Sequence, residues 1–329
     1  MKIKSIIIGL GNIGLLYDKD SFNKPDNYLT HSKALFYSKN FSLEGGIDFE
    51  KKNRDIFTKL TGKKSYSSID SLKNQNKDID LFVISTPTST HLKIIMEIIN
   101  YYKPKVILCE KPLSYNLIDS EKIIDICKKN QIELFVNFQR RVEESISTIK
   151  KLIDKSSYCK GSIWYSNGFI NNGIHFIDLM TFFLGKAKKI EIISKENKNH
   201  ITEIDFEADL KISYKKGEIY FLSWPDNLYS NYKIEILTNS ERIVVDDNGS
   251  TTKINNVIKD PIYSECKCLD IEETKIKNNL NISIKLVYDD ILRYINDDKT
   301  KSLLNNLDNM KEVQYIIDEI KKVNEKTSN

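Results

Sequence analysis

Lys111, in the tripeptide Glu110-Lys111-Pro112, is the principal candidate for chemistry in this chain. It closely follows the apolar run from Val106 to Cys109, which predicts a buried strand. Open α/β sheets bind ligands in the crevice outside the carboxyl ends of their strands, so this strand would present an ammonium group to a ligand. Lys111 could exchange a proton there. An ion pair with Glu110 would instead give it a purely structural role.

A glycine cluster near the N-terminus could hold a dinucleotide. Gly9, Gly11 and Gly14 have the spacing GxGxxG and directly follow the strand predicted over 3–8. Glycine dihedral angles allow the turn, and the missing side chains let a pyrophosphate approach the backbone amides. A βα turn without a ligand is the alternative. The residues of this turn predicted to contact the cofactor are Gly9, Gly11, Asn12, Ile13 and Gly14.

Asp48, at the end of the second predicted strand, is the candidate partner of the adenosine ribose. It follows Gly14 by 34 residues, more than the usual interval of about 20, and we interpret the polar stretch 17–30 as an inserted loop. A carboxylate would repel the 2′-phosphate of NADP, so Asp48 favours NAD. Two alternatives remain: Glu44 or Asp48 caps a loop, or a basic residue holds a phosphate. Those basic residues are Lys51, Lys52 and Arg54.

A third predicted strand, 80–85, stops before a proline and leads into a helix, so its end should also lie over the cofactor. His91 begins that helix. We interpret it as a structural residue or one at the cofactor edge, because its neighbourhood offers no nucleophile for it to activate. The residues assigned to the cofactor here are Ser85, Thr86, Pro87 and His91.

A second titratable cluster begins at His175, at the start of a predicted helix. Asp178 follows three residues later, within reach on one helix face, and could orient the imidazole. A core or capping histidine is the alternative. Arg140, close after the strand predicted over 132–136, could face an anionic substrate group, or it could be a solvated residue at a helix start.

The pattern of elements predicts two domains of α/β class. Up to residue 137, short apolar strands alternate with helical stretches, which indicates a doubly wound parallel sheet. After Arg140 a helical stretch to Asp154 leads into six β segments and then two helices, which favours an open, mostly antiparallel sheet. The predicted domains are 1–137, which binds NAD(P), and 138–329, which binds substrate and forms oligomers. The predicted strands of the first are 3–8, 43–48, 80–85, 105–109 and 132–136, and the β segments of the second are 161–169, 188–194, 204–213, 217–224, 232–238 and 241–247.

Composition narrows the function. The chain has 50 basic and 46 acidic residues spread along its length, for a net charge of +4, so we expect no nucleic-acid partner. The first apolar run is too short for a signal peptide or a membrane span, which predicts a cytoplasmic protein without a membrane partner. Of five cysteines, only Cys266 and Cys268 are close, and no second Cys/His pair lies nearby, so we expect no metal.

The order and spacing of these motifs resemble the glucose-fructose oxidoreductase and inositol dehydrogenase family (Gfo/Idh/MocA). The resemblance covers nearly the whole chain and implies a Rossmann domain followed by an α/β domain whose open sheet forms a homodimer or homotetramer interface. It rests on GxGxxG, on Ser85-Thr86-Pro87 with His91, on Glu110-Lys111-Pro112, and on Gly173-x-His175-x-x-Asp178-Leu179.

The resemblance also implies roles for individual residues. Lys111 matches the family's catalytic lysine, and His175 matches its histidine across the substrate. Many members carry an aspartate four residues before that histidine, where this chain has Asn171, which cannot exchange a proton and would only bind a hydroxyl or carbonyl. The expected cofactor contacts also include Glu110 and Lys111. The expected substrate contacts are Asn171, Asp178, Arg140 and Tyr165.

We therefore expect an NAD(H)-dependent oxidoreductase that transfers a hydride between nicotinamide and a secondary hydroxyl or ketone of a sugar, sugar nucleotide or sugar acid. Tyr165 to Gly168 and Asn171 to Gly173 are similar to a subgroup of surface-polysaccharide and amino-sugar pathways in bacteria. One alternative is an epimerase or lyase that oxidises the sugar only transiently. The other, which Asn171 leaves open, is a nucleotide-binding sensor without chemistry.

Overall fold

The computed structural model describes residues 2–24, 26–73, 78–197, 205–225, 227–296, 302–304 and 307–326. They divide into two compact units, each built from two segments of the chain. The first unit comprises the described residues of 1–142 and 281–307, and the second comprises those of 143–280 and 308–329.

A parallel sheet of six strands forms the centre of the first unit. Its strands are β1 Ile3–Ile8, β2 Phe41–Ile47, β3 Ser65–Tyr66, β4 Leu81–Ile84, β5 Val106–Cys109 and β6 Glu133–Val136. The order β3-β2-β1-β4-β5-β6 is the doubly wound order of dinucleotide-binding domains. All four residues of β4 and of β5 are buried, as expected for strands covered on both faces. The predicted fold class is confirmed for this unit.

The helices of the first unit include one from late in the chain. They are α1 His31–Phe36, α2 Lys51–Thr61, α3 Ile69–Lys73, α4 His91–Tyr101, α5 Leu117–Lys129 and α8 Ser283–Asn296. In α8, Ile284, Val287, Tyr288 and Ile291 recur at helical spacing and are buried in one cluster with Phe135 and the strands of the sheet. This apolar stripe explains why α8 belongs to the first unit. The predicted domains 1–137 and 138–329 were assigned by function, and that division stays a prediction. The two compact units are defined instead by which residues pack together.

An eight-stranded, mostly antiparallel sheet forms the second unit. Its strands are β7 Cys159–Tyr165, β8 Lys189–Asn197, β9 Phe206–Tyr214, β10 Gly217–Ser223, β11 Lys233–Thr238, β12 Glu241–Asp246, β13 Thr251–Lys259 and β14 Lys267–Lys277. The order is β14-β13-β12-β11-β7-β10-β9-β8, and within the described residues only β7 and β10 pair in parallel. The predicted open, mostly antiparallel sheet is confirmed.

Helices of the second unit are α6 Ile146–Lys155, α7 Ile174–Leu184 and α9 Leu307–Lys326, whose first residue falls in the first unit. Nearly every residue of α7 is buried. Of the described helices, none is both long enough and apolar enough to cross a membrane.

Candidate functional site

The carboxyl ends of five parallel strands lie in register in the first unit. The last residues of β2, β1, β4, β5 and β6 pair with one another across the sheet. The residue after each strand therefore falls in one row along the edge where such sheets bind ligands. The row is held by backbone hydrogen bonds of 2.8 to 2.9 Å. In each, an amide donates to the last residue of the neighbouring strand in the sheet, and the donors are Gly9, Ser85, Glu110 and Asn137. In order across the sheet, the row is Asp48, Gly9, Ser85, Glu110 and Asn137.

The glycine turn leaves space where a pyrophosphate would need it. Gly9 has φ +96°, and a Cβ there would lie 2.6 Å from the carbonyl of Ser85. A Cβ on Gly14 would lie 2.1 Å from the carbonyl oxygen of Gly9, so the turn can close only around glycine. By contrast, a Cβ on Gly11 would meet no atom within 4 Å. Gly11 therefore exposes its backbone to open space, and the turn fits the phosphates of a dinucleotide.

The predicted loop after this turn is confirmed within the described residues, which exclude Pro25. Its anchor is Asp18, which is fully buried. The Asp18 carboxylate accepts hydrogen bonds from the amide of Leu29 at 2.9 Å and the hydroxyl of Thr30 at 2.8 Å, and lies 3.6 Å from Nζ of buried Lys33. Thr30 in turn caps α1 by accepting from the amide of Lys33 at 3.4 Å. The loop thereby fixes where α1 begins.

Asp48 is 9% exposed and joins the second strand to the glycine turn. It accepts hydrogen bonds from the amide of Leu10 at 2.7 Å, the amide of Glu50 at 2.8 Å and the side chain of Asn53 at 3.3 Å. A carboxylate has about four lone-pair positions, so Asp48 can still accept one ribose hydroxyl. This geometry fits NAD and would oppose a 2′-phosphate.

His91 connects two loops of the row. Its ring nitrogens lie 3.0 Å from the carbonyl oxygen of Thr86 and 3.1 Å from that of Leu113. Burial is the largest influence on its pKa and lowers it below the ordinary value, although both carbonyl contacts raise it. The imidazole is fully buried, which suits a structural role. Ser85 adds a second link, because its hydroxyl donates to the carbonyl of Gly9 at 2.8 Å.

Glu110, whose side chain is 13% exposed, is the centre of a mostly buried polar network. Its Oε1 accepts from Nδ2 of Asn137 at 2.6 Å and lies 2.9 Å from Nε2 of His31, and Nδ1 of His31 lies 2.8 Å from the hydroxyl of Tyr288. Burial raises the pKa of Glu110, but the bonds and charges of His31, Asn137 and Lys111 outweigh it, so its pKa lies below the ordinary value. Glu110 is therefore a carboxylate at neutral pH.

Three members of this network were not predicted from the sequence. Asn137 could have been found, because it directly follows β6 and adjacent parallel strands end at one edge. For His31 and Tyr288 there is no local signal, since 79 residues separate His31 from Glu110 and 257 separate it from Tyr288. Lys111 itself is half-buried, and its amide lies 3.3 Å from Oε2 of Glu110.

The second titratable cluster lies in the second unit, on a π-helical turn and the helix after it. The turn, Phe169–Gly173, is held by Asp205, which accepts from the amides of Ile170 at 2.7 Å and Asn171 at 3.0 Å. Asn171 is exposed, whereas His175 on α7 is 6% exposed and Asp178 is 1% exposed. π-Helical turns occur often at functional sites.

Tyr165 differs from its predicted role. It is fully buried, and its hydroxyl donates to the carbonyl of Ala208 at 2.6 Å and lies 3.1 Å from the amide of Ala208. Burial raises its pKa well above the ordinary value. The hydroxyl thus connects β7 to β9, and we leave Tyr165 out of the substrate site. Arg140 lies half-buried in the 3₁₀ turn Gln139–Val142 of the first unit, three residues after Asn137.

The described residues contain no group of three or more His, Cys, Asp or Glu side chains that could hold a metal ion.

Comparison with known proteins adds a family. Residues 3–138 match the sequence model of the GFO_IDH_MocA family, described as an oxidoreductase family with an NAD-binding Rossmann fold. Residues 3–138 are thus similar to this family. The prediction that the cofactor is NAD is confirmed.

One curated relative and two solved structures show how far the similarity extends. The myo-inositol 2-dehydrogenase of Thermotoga maritima is 22% identical over 272 residues, which are 75% of this chain and 76% of that protein. UDP-N-acetylglucosamine 3-dehydrogenase from Acidithiobacillus ferrooxidans superposes with a TM-score of 0.72 at 13% identity, covering 97% of this chain and 96% of that one. A super-repressor mutant of Gal80p from Saccharomyces cerevisiae gives 0.74 at 14% identity, covering 99% and 97%. At these identities the two structures show a shared fold.

Proposed function

We propose that the protein is an NAD(H)-dependent oxidoreductase that interconverts a secondary hydroxyl and a ketone on a sugar, sugar nucleotide or sugar acid. The observation that carries this proposal is the strand-end row, in which Glu110, followed directly by Lys111, lies at the same edge as the glycine turn and Asp48. The family match and the inositol dehydrogenase relative support oxidation of a ring carbinol.

The residues divide the work. When bound, NAD supplies a hydride acceptor. Gly9, Gly11 and Gly14 would hold its pyrophosphate, and Asp48 would hold its adenosine ribose. Lys111 would take the proton from the substrate hydroxyl as the carbonyl forms, and would return it in the reverse direction. The row therefore combines cofactor binding and proton transfer at one sheet edge.

For the second unit we propose that His175 is a further acid or base and that Asn171 binds a hydroxyl or carbonyl of the substrate. Asp178 and Arg140 stay in the proposed substrate set, Asp178 as a residue near the imidazole in sequence and Arg140 as the partner of an anionic group. The likeness to UDP-N-acetylglucosamine 3-dehydrogenase supports a sugar nucleotide as the substrate. The similarity of residues 165–168 and 171–173 to the surface-polysaccharide subgroup supports a role in surface glycans. Dimer or tetramer formation through the eight-stranded sheet belongs to the same proposal.

An absorbance assay for NADH tests the function. The purified protein with NAD and a panel of inositols, hexoses, sugar acids and UDP-sugars should form NADH with at least one class. An altered sugar without net NADH formation would indicate the transient oxidation of an epimerase or lyase.

A nucleotide-binding regulator is the second candidate, favoured by the Gal80p likeness and by Asn171. In the same assay it would bind NAD, as calorimetry can measure, while every sugar in the panel stays chemically unchanged in both directions.

A further inference from the structure

The polar network around Glu110 contains a residue, His31, that the proposed function does not use. His31 is fully buried at the first position of α1. Its amide donates to the carbonyl of Ile13 at 3.0 Å, and the next amide, of Ser32, donates to the carbonyl of Gly14 at 3.0 Å. The start of α1 is thus tied to the glycine turn by its backbone, while the imidazole reaches Glu110.

The hydrogen positions in this network follow from chemistry. Glu110 is a carboxylate and can only accept, so Nε2 of His31 carries the hydrogen of the 2.9 Å contact. Burial raises the pKa of Tyr288 well above its ordinary value, so Tyr288 keeps its hydroxyl hydrogen. Nδ1 of His31 lies 2.8 Å from that hydroxyl. The ring is thereby fixed from both sides.

We propose that His31 is a positioning residue for Lys111: it holds the Glu110 carboxylate at 2.9 Å, and that carboxylate in turn lies 3.3 Å from the Lys111 amide. The inference rests on the proposed acid/base role of Lys111. A carboxylate buried without enough donors takes up a proton, because desolvation disfavours the charge. Asn137 supplies one donor to Oε1, and His31 supplies the other. Without His31, the negative charge that interacts with the Lys111 ammonium would weaken.

The inserted loop helps to position His31. Asp18 fixes Leu29 and Thr30 through the bonds described above, and Thr30 caps the helix that begins with His31. Tyr288, contributed by α8, fixes the other ring nitrogen. Two segments far apart in the chain therefore converge on one imidazole, which contacts the residue directly before Lys111.

Competitive acetylation of lysines in the full-length protein, followed by peptide mass spectrometry, tests the proposal without a substrate. At a fixed pH near 8, the acetylation rate of Lys111 should rise about tenfold in His31→Leu, because a weaker carboxylate charge leaves more free amine, as one pKa unit would. His31→Gln, which keeps a donor, should remain within about twofold of wild type, the accuracy that we require of the comparison. Ser32→Ala, on the next buried residue, is the matched control and should match wild type.

An unchanged Lys111 rate in His31→Leu would overturn the proposal, even if the variant is less stable. If His31→Leu does not fold, Tyr288→Phe removes a single oxygen and should still raise the rate about threefold, half a pKa unit. An unchanged rate there would likewise overturn it. Because labelling requires no turnover, a protein that oxidises no sugar but shows these shifts would refute the proposed function alone.

Discussion

Alanine substitutions at two glycines of the nucleotide turn should separate folding from cofactor binding. In Gly14→Ala the new Cβ would lie 2.1 Å from the carbonyl oxygen of Gly9, a backbone atom that cannot move away alone. Forced overpacking of this kind costs about 1–3 kcal/mol. In Gly11→Ala the Cβ meets no atom within 4 Å, so the fold should keep its stability or gain about 0.4–1 kcal/mol from a less flexible unfolded chain.

Gly11→Ala, which should leave the stability of the fold intact, should weaken the binding of NAD. Its Cβ would occupy the open space assigned to the pyrophosphate, so we expect the dissociation constant to rise at least about tenfold, equal to 1.4 kcal/mol. Urea denaturation gives the stabilities, and isothermal titration with NAD gives the affinities. A Gly11→Ala variant that binds NAD like wild type, or a Gly14→Ala variant of wild-type stability, would refute this account of the turn.

Three further substitutions have defined outcomes. Glu110→Gln should lower the free energy of unfolding at neutral pH, and its difference from wild type should shrink as the pH falls below 4.5, because the folded-state pKa of Glu110 lies below that ordinary value and its contribution is lost on protonation; a pH-independent difference in urea unfolding would contradict this. Asp48→Asn should weaken NAD binding at least about tenfold, 1.4 kcal/mol, and reduce the preference for NAD over NADP, as titration with both nucleotides can show; an unchanged preference would count against the ribose role. Tyr165→Phe should cost about 1–3 kcal/mol of stability, because it leaves the Ala208 carbonyl without its 2.6 Å bond, while the NAD dissociation constant stays the same.

The first sheet was predictable because its signals are local. The strands predicted over 3–8, 105–109 and 132–136 correspond to Ile3–Ile8, Val106–Cys109 and Glu133–Val136. Each is a short apolar run bounded by turn residues, and fully buried parallel strands show that pattern. The GxGxxG spacing likewise located a turn in which Gly9 and Gly14 must lack side chains.

The last hairpin of the second sheet was missed for the opposite reason. Strand β14, Lys267–Lys277, has no buried residue among its eleven, and charged residues interrupt its apolar alternation after Ile271. Strand β13, Thr251–Lys259, is mostly polar as well. Backbone pairing with β12 and with each other holds these strands, and a hydrophobic period cannot reveal such pairing.

The network around Glu110 shows how much of the candidate site could be predicted from the sequence. Strand ends could predict Glu110 and Asn137 at one edge, but the imidazole of His31 arrives through an inserted loop and the hydroxyl of Tyr288 through α8. Contacts between residues so distant in sequence depend on tertiary packing. Tyr165 shows the reverse case, since a motif position in the sequence became a buried link between strands.

Turnover by Lys111→Met tests the central claim most directly. On a sugar that the wild-type protein oxidises, the variant should still bind NAD but form NADH at least about 100-fold more slowly, because the proton acceptor is missing. Lys103→Met, an exposed lysine on the loop before β5, is the control and should keep full activity. Wild-type turnover by Lys111→Met would contradict the account.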